Sequence, residues 1–111
     1  MLKVTDILKA TNGKLINGNK ELKITNYKID SREVNNGDFF IPLSGEKTDG
    51  HKYLDMVIDK GCCGFFVAKD KIDALNIKEY LIKNKNLIII EVEDTLIALH
   101  SIGEYNRDIH I

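Results

Sequence analysis

The residues best suited to chemistry fall in one run, "IDSREVNNGDFFIPLSGEKTDGHKYL", from Ile29 to Leu54. It holds Arg32, one of two arginines against fourteen lysines, with Asp30, Ser31, Lys47, Thr48, Asp49 and His51. Two polar turns are separated by an apolar strand, so both can lie at one end of a sheet, where open α/β sheets take their ligands. Arg32 can fork onto phosphate oxygens and Lys47 adds positive charge. Ser31 and Thr48 offer hydroxyls to phosphate or ribose oxygens. The loop "GEKTDGH" feeds a helix at His51, and a helix start presents unpaired N–H groups and partial positive charge to an anion. Gly45 and Gly50 allow the backbone to come close to a ligand. His51 can donate to a phosphate or stack on a base. The set suits a phosphorylated or nucleotide ligand better than a catalytic centre, because the paired acid and base of hydrolysis are not evident.

Plainer roles stand beside these. Asp49 is also a natural N-cap for the next helix, and Asp30-Ser31 can close a turn through side-chain hydrogen bonds. A histidine at a helix start is commonly solvated surface, and Tyr53 and Phe39 read as core. His100 and His110 read as surface or packing residues. Composition and spacing alone reach only as far as "binds an anionic small molecule".

The elements that must position these turns follow from periodicity. "VTDILKATNG" reads as a short helix capped at Thr5 and stopped at Gly13, and Asn17-Gly18 as a turn between two extended pieces. Ile24 to Asp30 alternates as a strand, Asn36-Gly37 turns, and "DFFIPLSG" is a second strand that leaves the sheet near Pro42. "HKYLDMVIDKG" places Tyr53, Leu54, Val57 and Ile58 on one helical face with Gly61 as its stop. "CCGFFVAK" is a strand, "ALNIKEYLIKNK" a short helix and "NLIIIEVED" a β-branched strand. A final helix runs from an Asp94-Thr95 cap through Ile109. Strands alternating with helices give an α/β class: a single small domain with a mixed sheet flanked by helices.

The whole chain bounds the rest. At 111 residues and 12.6 kDa it is one domain, long enough to bury a core without metals or disulfides. A net charge of −1 with interspersed lysines and acids argues against nucleic acid or a membrane as partner. No apolar run reaches membrane-span length and no signal peptide precedes the first helix, so the cytoplasm is expected. Cys62 and Cys63 sit in "GCCGFFVA" without metal-ligand spacing and read as core packing. There is no repeat and no low-complexity linker. The chain stops after its final helix, as a domain cut from something longer would.

The stretch "DSREVNNGDFFIPLSGEKTDGHKYLDMVIDKGCCGFFV" resembles the N-terminal domain of the Mur ligases, the ATP-dependent enzymes that build the peptide stem of the peptidoglycan precursor. It matches D-S-R, then G-D-hydrophobic-F, then G-x-x-x-D-G-H, then an aromatic and an apolar strand. "VTDILKATNGKL" and "VEDTLIALHSIGEYNR" extend the likeness over essentially the whole chain. Within the family the chain looks most like the member adding D-alanyl-D-alanine to UDP-N-acetylmuramoyl-tripeptide. The lysine- or meso-diaminopimelate-adding member is the alternative, and a non-catalytic protein-interaction domain a further one. The resemblance implies that Ser31 and Arg32 face the uridine diphosphate end of the substrate, and that Thr48, Asp49, Gly50 and His51 line the same cleft. It implies that Asp30 orients the Ser31–Arg32 turn; Lys47 joins on charge alone. ATP and Mg²⁺ belong, by the same resemblance, to the parent enzyme, whose central and C-terminal domains are the expected partners. A G-x-x-x-x-G-K-[ST] loop is missing from these 111 residues, so they are expected to bind substrate without cofactor or catalytic residues of their own, and to be inactive alone.

Overall fold

A computed structural model of the chain describes residues 1–45 and 47–106. In chain order the described elements are β1 (Leu2–Lys3), α1 (Val4–Thr11), β2 (Lys14–Asn17), β3 (Lys23–Ile24), β4 (Tyr27–Lys28), β5 (Phe39–Phe40), α2 (Leu54–Asp59), β6 (Gly64–Ala68), α3 (Ile77–Lys83), β7 (Ile88–Val92) and α4 (Thr95–Tyr105). Short 3₁₀ turns cover Ser31–Glu33, Gly50–Tyr53 and Ile72–Ala74. The main sheet runs β2-β7-β6-β5-β4. β4 to β7 are parallel and β2 lies antiparallel to β7, so the sheet is mixed, as the alternating pattern predicts. β1 and β3 form a separate antiparallel pair.

Period-two alternation divides the core into two layers. Ile88, Ile90 and Val92 of β7, with Phe39 and Phe66, pack under Val4 and Ile7 of α1 and Ala98 and Ile102 of α4. Ile89, Phe40, Phe65 and Val67 point the other way, under Leu54, Val57 and Ile58 of α2 and Tyr80 of α3. Every residue of β6 is buried, as expected of a strand covered on both faces.

Several local expectations are corrected. Helix α1 starts at Val4 without a capping hydroxyl from Thr5. Its first amides are met by tertiary partners instead: Val4 N–H donates to the Leu22 carbonyl (2.9 Å) and Thr5 N–H to that of Lys20 (3.0 Å). The strand predicted from Ile24 to Asp30 breaks into β3 and β4, in different sheets. Ile24 and Tyr27 are both buried in the same core layer, and a continuous strand would send residues three apart to opposite faces. Tyr53 ends a 3₁₀ turn rather than lying within the helix, and is 36% exposed. The tighter winding turns its ring out of the face that buries Leu54, Val57 and Ile58. Helix α4 ends at Tyr105, short of the expected Ile109: Asn106 takes an extended backbone (φ −140°, ψ 101°) while its N–H bonds the Ile102 carbonyl; residues 107–109 of the expected helix, and His110, lie outside the described residues. His100 is exposed. Cys62 is buried and Cys63 half-buried, both as free thiols.

Candidate ligand cleft at the carboxyl ends of β4 and β5

Both polar turns leave the sheet at the same end. The first follows β4, and the second follows β5 and leads into α2. The first is a 3₁₀ turn capped by Asp30, whose carboxylate accepts Arg32 N–H (2.9 Å). The same carboxylate takes the Arg32 side chain in a fork, Nε at 3.0 Å and Nη2 at 2.8 Å. Hydrogen bonds from the Arg32 side chain, and then from its backbone, hold the Asp30 carboxyl down at about 2. The Arg32 side chain is otherwise open, 84% exposed. Beneath the turn, Lys60 Nζ donates to the carbonyls of Ser31 (3.1 Å) and Arg32 (2.8 Å), pinning them to the end of α2. Ser31 is buried to 7% exposure, and among the described residues its hydroxyl has no hydrogen-bond partner.

The second turn is closed locally. Ser44 and Asp49 pair as an isolated antiparallel bridge, and Gly45 N–H donates to the Thr48 carbonyl (2.7 Å). Gly50 is required by packing within the chain: a Cβ there would stand 2.8 Å from Pro42 Cα and 2.9 Å from Leu43 N. The close approach expected of a ligand is thus made by the protein's own backbone at Gly50. At Gly45 a Cβ would meet, among the described residues, the Thr48 carbonyl at an ordinary 3.5 Å. Asp49 caps the following 3₁₀ turn by accepting His51 N–H (3.0 Å). Desolvation raises its pKa, but hydrogen bonds from the His51 backbone and ring, helped by Lys71 at 3.3 Å, outweigh it and bring the carboxyl to about 2.

His51 is neither solvated surface nor an open donor. It is 4% exposed, its Nδ1 lies 2.7 Å from Asp49 Oδ1, and Ala68 N–H donates to its Nε2 at 3.0 Å. An Nε2 that accepts carries no proton, so the neutral ring holds its hydrogen on Nδ1 and donates it to Asp49. Both nitrogens are committed inside the protein.

Between the turns lies a cleft of about 580 Å³. Asp30, Ser31 and Arg32 line one side, Thr48 and Gly50 another, and Ile29, Phe40, Leu43, Tyr53 and Met56 supply apolar surface. Of the eight residues singled out in the sequence, five therefore share this cleft. Lys47, Asp49 and His51 are not among its lining residues: Lys47 is exposed on the loop, while Asp49 and His51 turn inward. The apolar lining escaped sequence reasoning because its residues look like ordinary core. The available signal was the three-residue spacing of Tyr53 and Met56, which brings both to one side at the start of α2. Among the described residues no group of three or more His, Cys, Asp or Glu is placed to hold a metal ion.

A family model described as "Mur ligase family, catalytic domain" matches residues 23–107. The UDP-N-acetylmuramoyl-L-alanyl-D-glutamate–2,6-diaminopimelate ligase of Clostridium perfringens is 33% identical over 93 residues, which are 84% of this chain and 17% of that protein. The enzyme of the same name from Clostridium tetani is 38% identical over 60 residues, 54% of this chain and 12% of that protein. Among solved structures, the UDP-N-acetylmuramoylalanyl-D-glutamyl-2,6-diaminopimelate–D-alanyl-D-alanyl ligase of Acinetobacter baumannii superposes with a TM-score of 0.73 at 26% identity, over 96% of this chain and 21% of that one. The chain thus spans well under a quarter of the length of each of these proteins.

Proposed function

Since the chain belongs to the Mur ligase family, we propose that it is a substrate-binding domain that grips the uridine diphosphate end of a UDP-N-acetylmuramoyl peptide for peptidoglycan synthesis. One observation carries this reading: Asp30, Ser31 and Arg32 and the pair Thr48 and Gly50, from turns separated by a strand, line one cleft. Arg32 supplies exposed guanidinium donors for the diphosphate. The Ser31 hydroxyl, without a protein partner among the described residues, is available to a phosphate or ribose oxygen. Tyr53 and the apolar lining offer a surface for the flat base. At about 580 Å³ the cleft is of ligand-binding size.

The ligase chemistry itself is assigned to the rest of a longer parent chain, acting in the cytoplasm. ATP does not fit the residues present, since the matched stretch has no G-x-x-x-x-G-K-[ST] loop, and ATP and Mg²⁺ are proposed for the rest of the parent chain. The central and C-terminal domains of that parent are the proposed protein partners. Among the described residues no helix is long and apolar enough to cross a membrane. For the group added, the sequence relatives support 2,6-diaminopimelate. The structural neighbour supports D-alanyl-D-alanine, the member the sequence motifs suggest, for which the substrate would be UDP-N-acetylmuramoyl-tripeptide. Supplying the parent enzyme with either pair of substrates and reading the product by mass decides between them.

The cleft is tested by titrating this chain with UDP-N-acetylmuramoyl-tripeptide and following backbone amide shifts. Shifts are expected at Ser31, Arg32, Thr48 and Gly50, and Arg32→Ala should weaken binding about tenfold, the loss of one charge-assisted contact. Shifts that avoid both turns at millimolar ligand refute the assignment.

A further inference from the structure

The second polar turn reaches the cleft only if something holds it against the sheet. Its closing hydrogen bonds, Gly45 to Thr48 and Gly50 to Leu43, are local and set its shape but not its position. Its ties to β6 and the segment beyond are Ala68 N–H to His51 Nε2 and Lys71 to Asp49. The Ala68 amide explains why a side-chain acceptor is needed at position 51. β5 pairs with β6 only over Phe39–Gly64 and Phe40–Phe65, and then leaves at Pro42. Lys69 N–H bonds Val92 on the β7 side (2.8 Å), so the amide of Ala68, one residue earlier, faces the side that β5 has vacated. The imidazole Nε2 takes the place of the missing strand carbonyl.

We propose that His51, as its neutral Nδ1–H tautomer, is a positioning residue that holds Thr48 and Gly50 in the cleft, and that it does not touch the ligand. The proposal rests on the reading of the cleft given above. Lending Nε2 to a phosphate would leave the Ala68 amide without its partner, and Nδ1 is already 2.7 Å from Asp49. The charged groups that face the ring are Asp49 from its own turn and, through Asp49, Lys71 from the segment after β6. Protonation of Nε2 would set two donors against each other at Ala68, so the turn is held only by the neutral ring.

Two variants and one spectroscopic measurement test this. In His51→Gln the side-chain carbonyl can still accept from Ala68, whereas His51→Phe keeps a ring without an acceptor. Binding of UDP-N-acetylmuramoyl-tripeptide should weaken about tenfold or more in His51→Phe and stay within about threefold in His51→Gln. In the wild-type chain the ring ¹⁵N shifts should report an unprotonated Nε2, unchanged at ligand saturation. Wild-type affinity in His51→Phe overturns the proposal, as does an Nε2 that carries a proton or moves on binding. If His51→Phe does not fold, the ring measurement alone decides. Wild-type amide shifts that avoid Ser31, Arg32, Thr48 and Gly50 overturn the cleft assignment, and this proposal with it. Failure at His51 alone leaves those shifts intact.

Discussion

Asp38, the acid of the G-D-hydrophobic-F piece, should be the polar side chain whose removal costs the fold most around the first turn. Its carboxylate is 4% exposed and accepts from Lys28 Nζ (3.0 Å) and Asn35 N–H (2.8 Å). Lys28 Nζ also donates to the Glu33 carbonyl (3.1 Å), so the pair links β4, the turn carrying Arg32 and the start of β5. Asp38→Ala removes a charge-assisted hydrogen bond and leaves a backbone amide unpaired, which costs about 1.5–3 kcal/mol. The Lys28 side chain is 28% exposed and can turn to water, so the ion pair itself adds at most about 1 kcal/mol. The expected loss is about 2–3 kcal/mol, or about 8–24 °C in Tm at roughly 4–8 °C per kcal/mol for a domain near this size. Lys28→Met alone should cost about 1 kcal/mol or less, and the double variant should fall short of the sum by a comparable amount. Thermal and urea unfolding followed by circular dichroism measure all three. A Tm for Asp38→Ala within about 4 °C of wild type refutes the reasoning, because it would mean that the buried carboxylate is readily replaced by solvent.

Three further outcomes follow from the same geometry. Gly50→Ala should destabilise by about 1–3 kcal/mol in urea unfolding, since the added carbon meets the backbone of Pro42 and Leu43 rather than a side chain that can move. The Asp49 carboxyl falls from an ordinary 3.8 to about 2 on folding; its stabilisation is complete above about pH 4 and is lost as pH falls through about 2, so acid titration of Asp49→Asn should show a shallower loss between those values than wild type. Burial pushes the Cys62 thiol up to about 12 and Cys63 up to about 11, so a thiol reagent at pH 8 should label both slowly in the native chain and promptly in urea.

Much of the fold was legible because its signals are local. The apolar, β-branched runs in "NLIIIEVED" and "GCCGFFVAK", the Asn36-Gly37 turn and the Gly61 stop each act within a few residues, and Gly37 and Gly61 do take positive φ, 87° and 88°. The site was legible to the level of its two turns. Asp30 and Asp49 cap them as Asx residues do wherever the next two amides lie within reach. Tyr53 was misread because a 3₁₀ turn and an α-helix place the same residue on different faces, and nothing in "DGHKYL" distinguishes them.

By itself, then, the sequence determined the α/β class, a mixed sheet flanked by helices and the two polar turns, since hydrophobic period and capping depend on neighbours a few positions away. Tertiary structure alone decided what each polar side chain does. Lys60 reaches carbonyls 28 and 29 residues back, Lys28 and Asp38 join adjacent strands, and His51 turns inward because β5 departs from β6 and leaves the Ala68 amide in need of an acceptor. Hydrogen bonds act over about 3 Å, and which groups come that close is settled by strand order, which local composition does not encode.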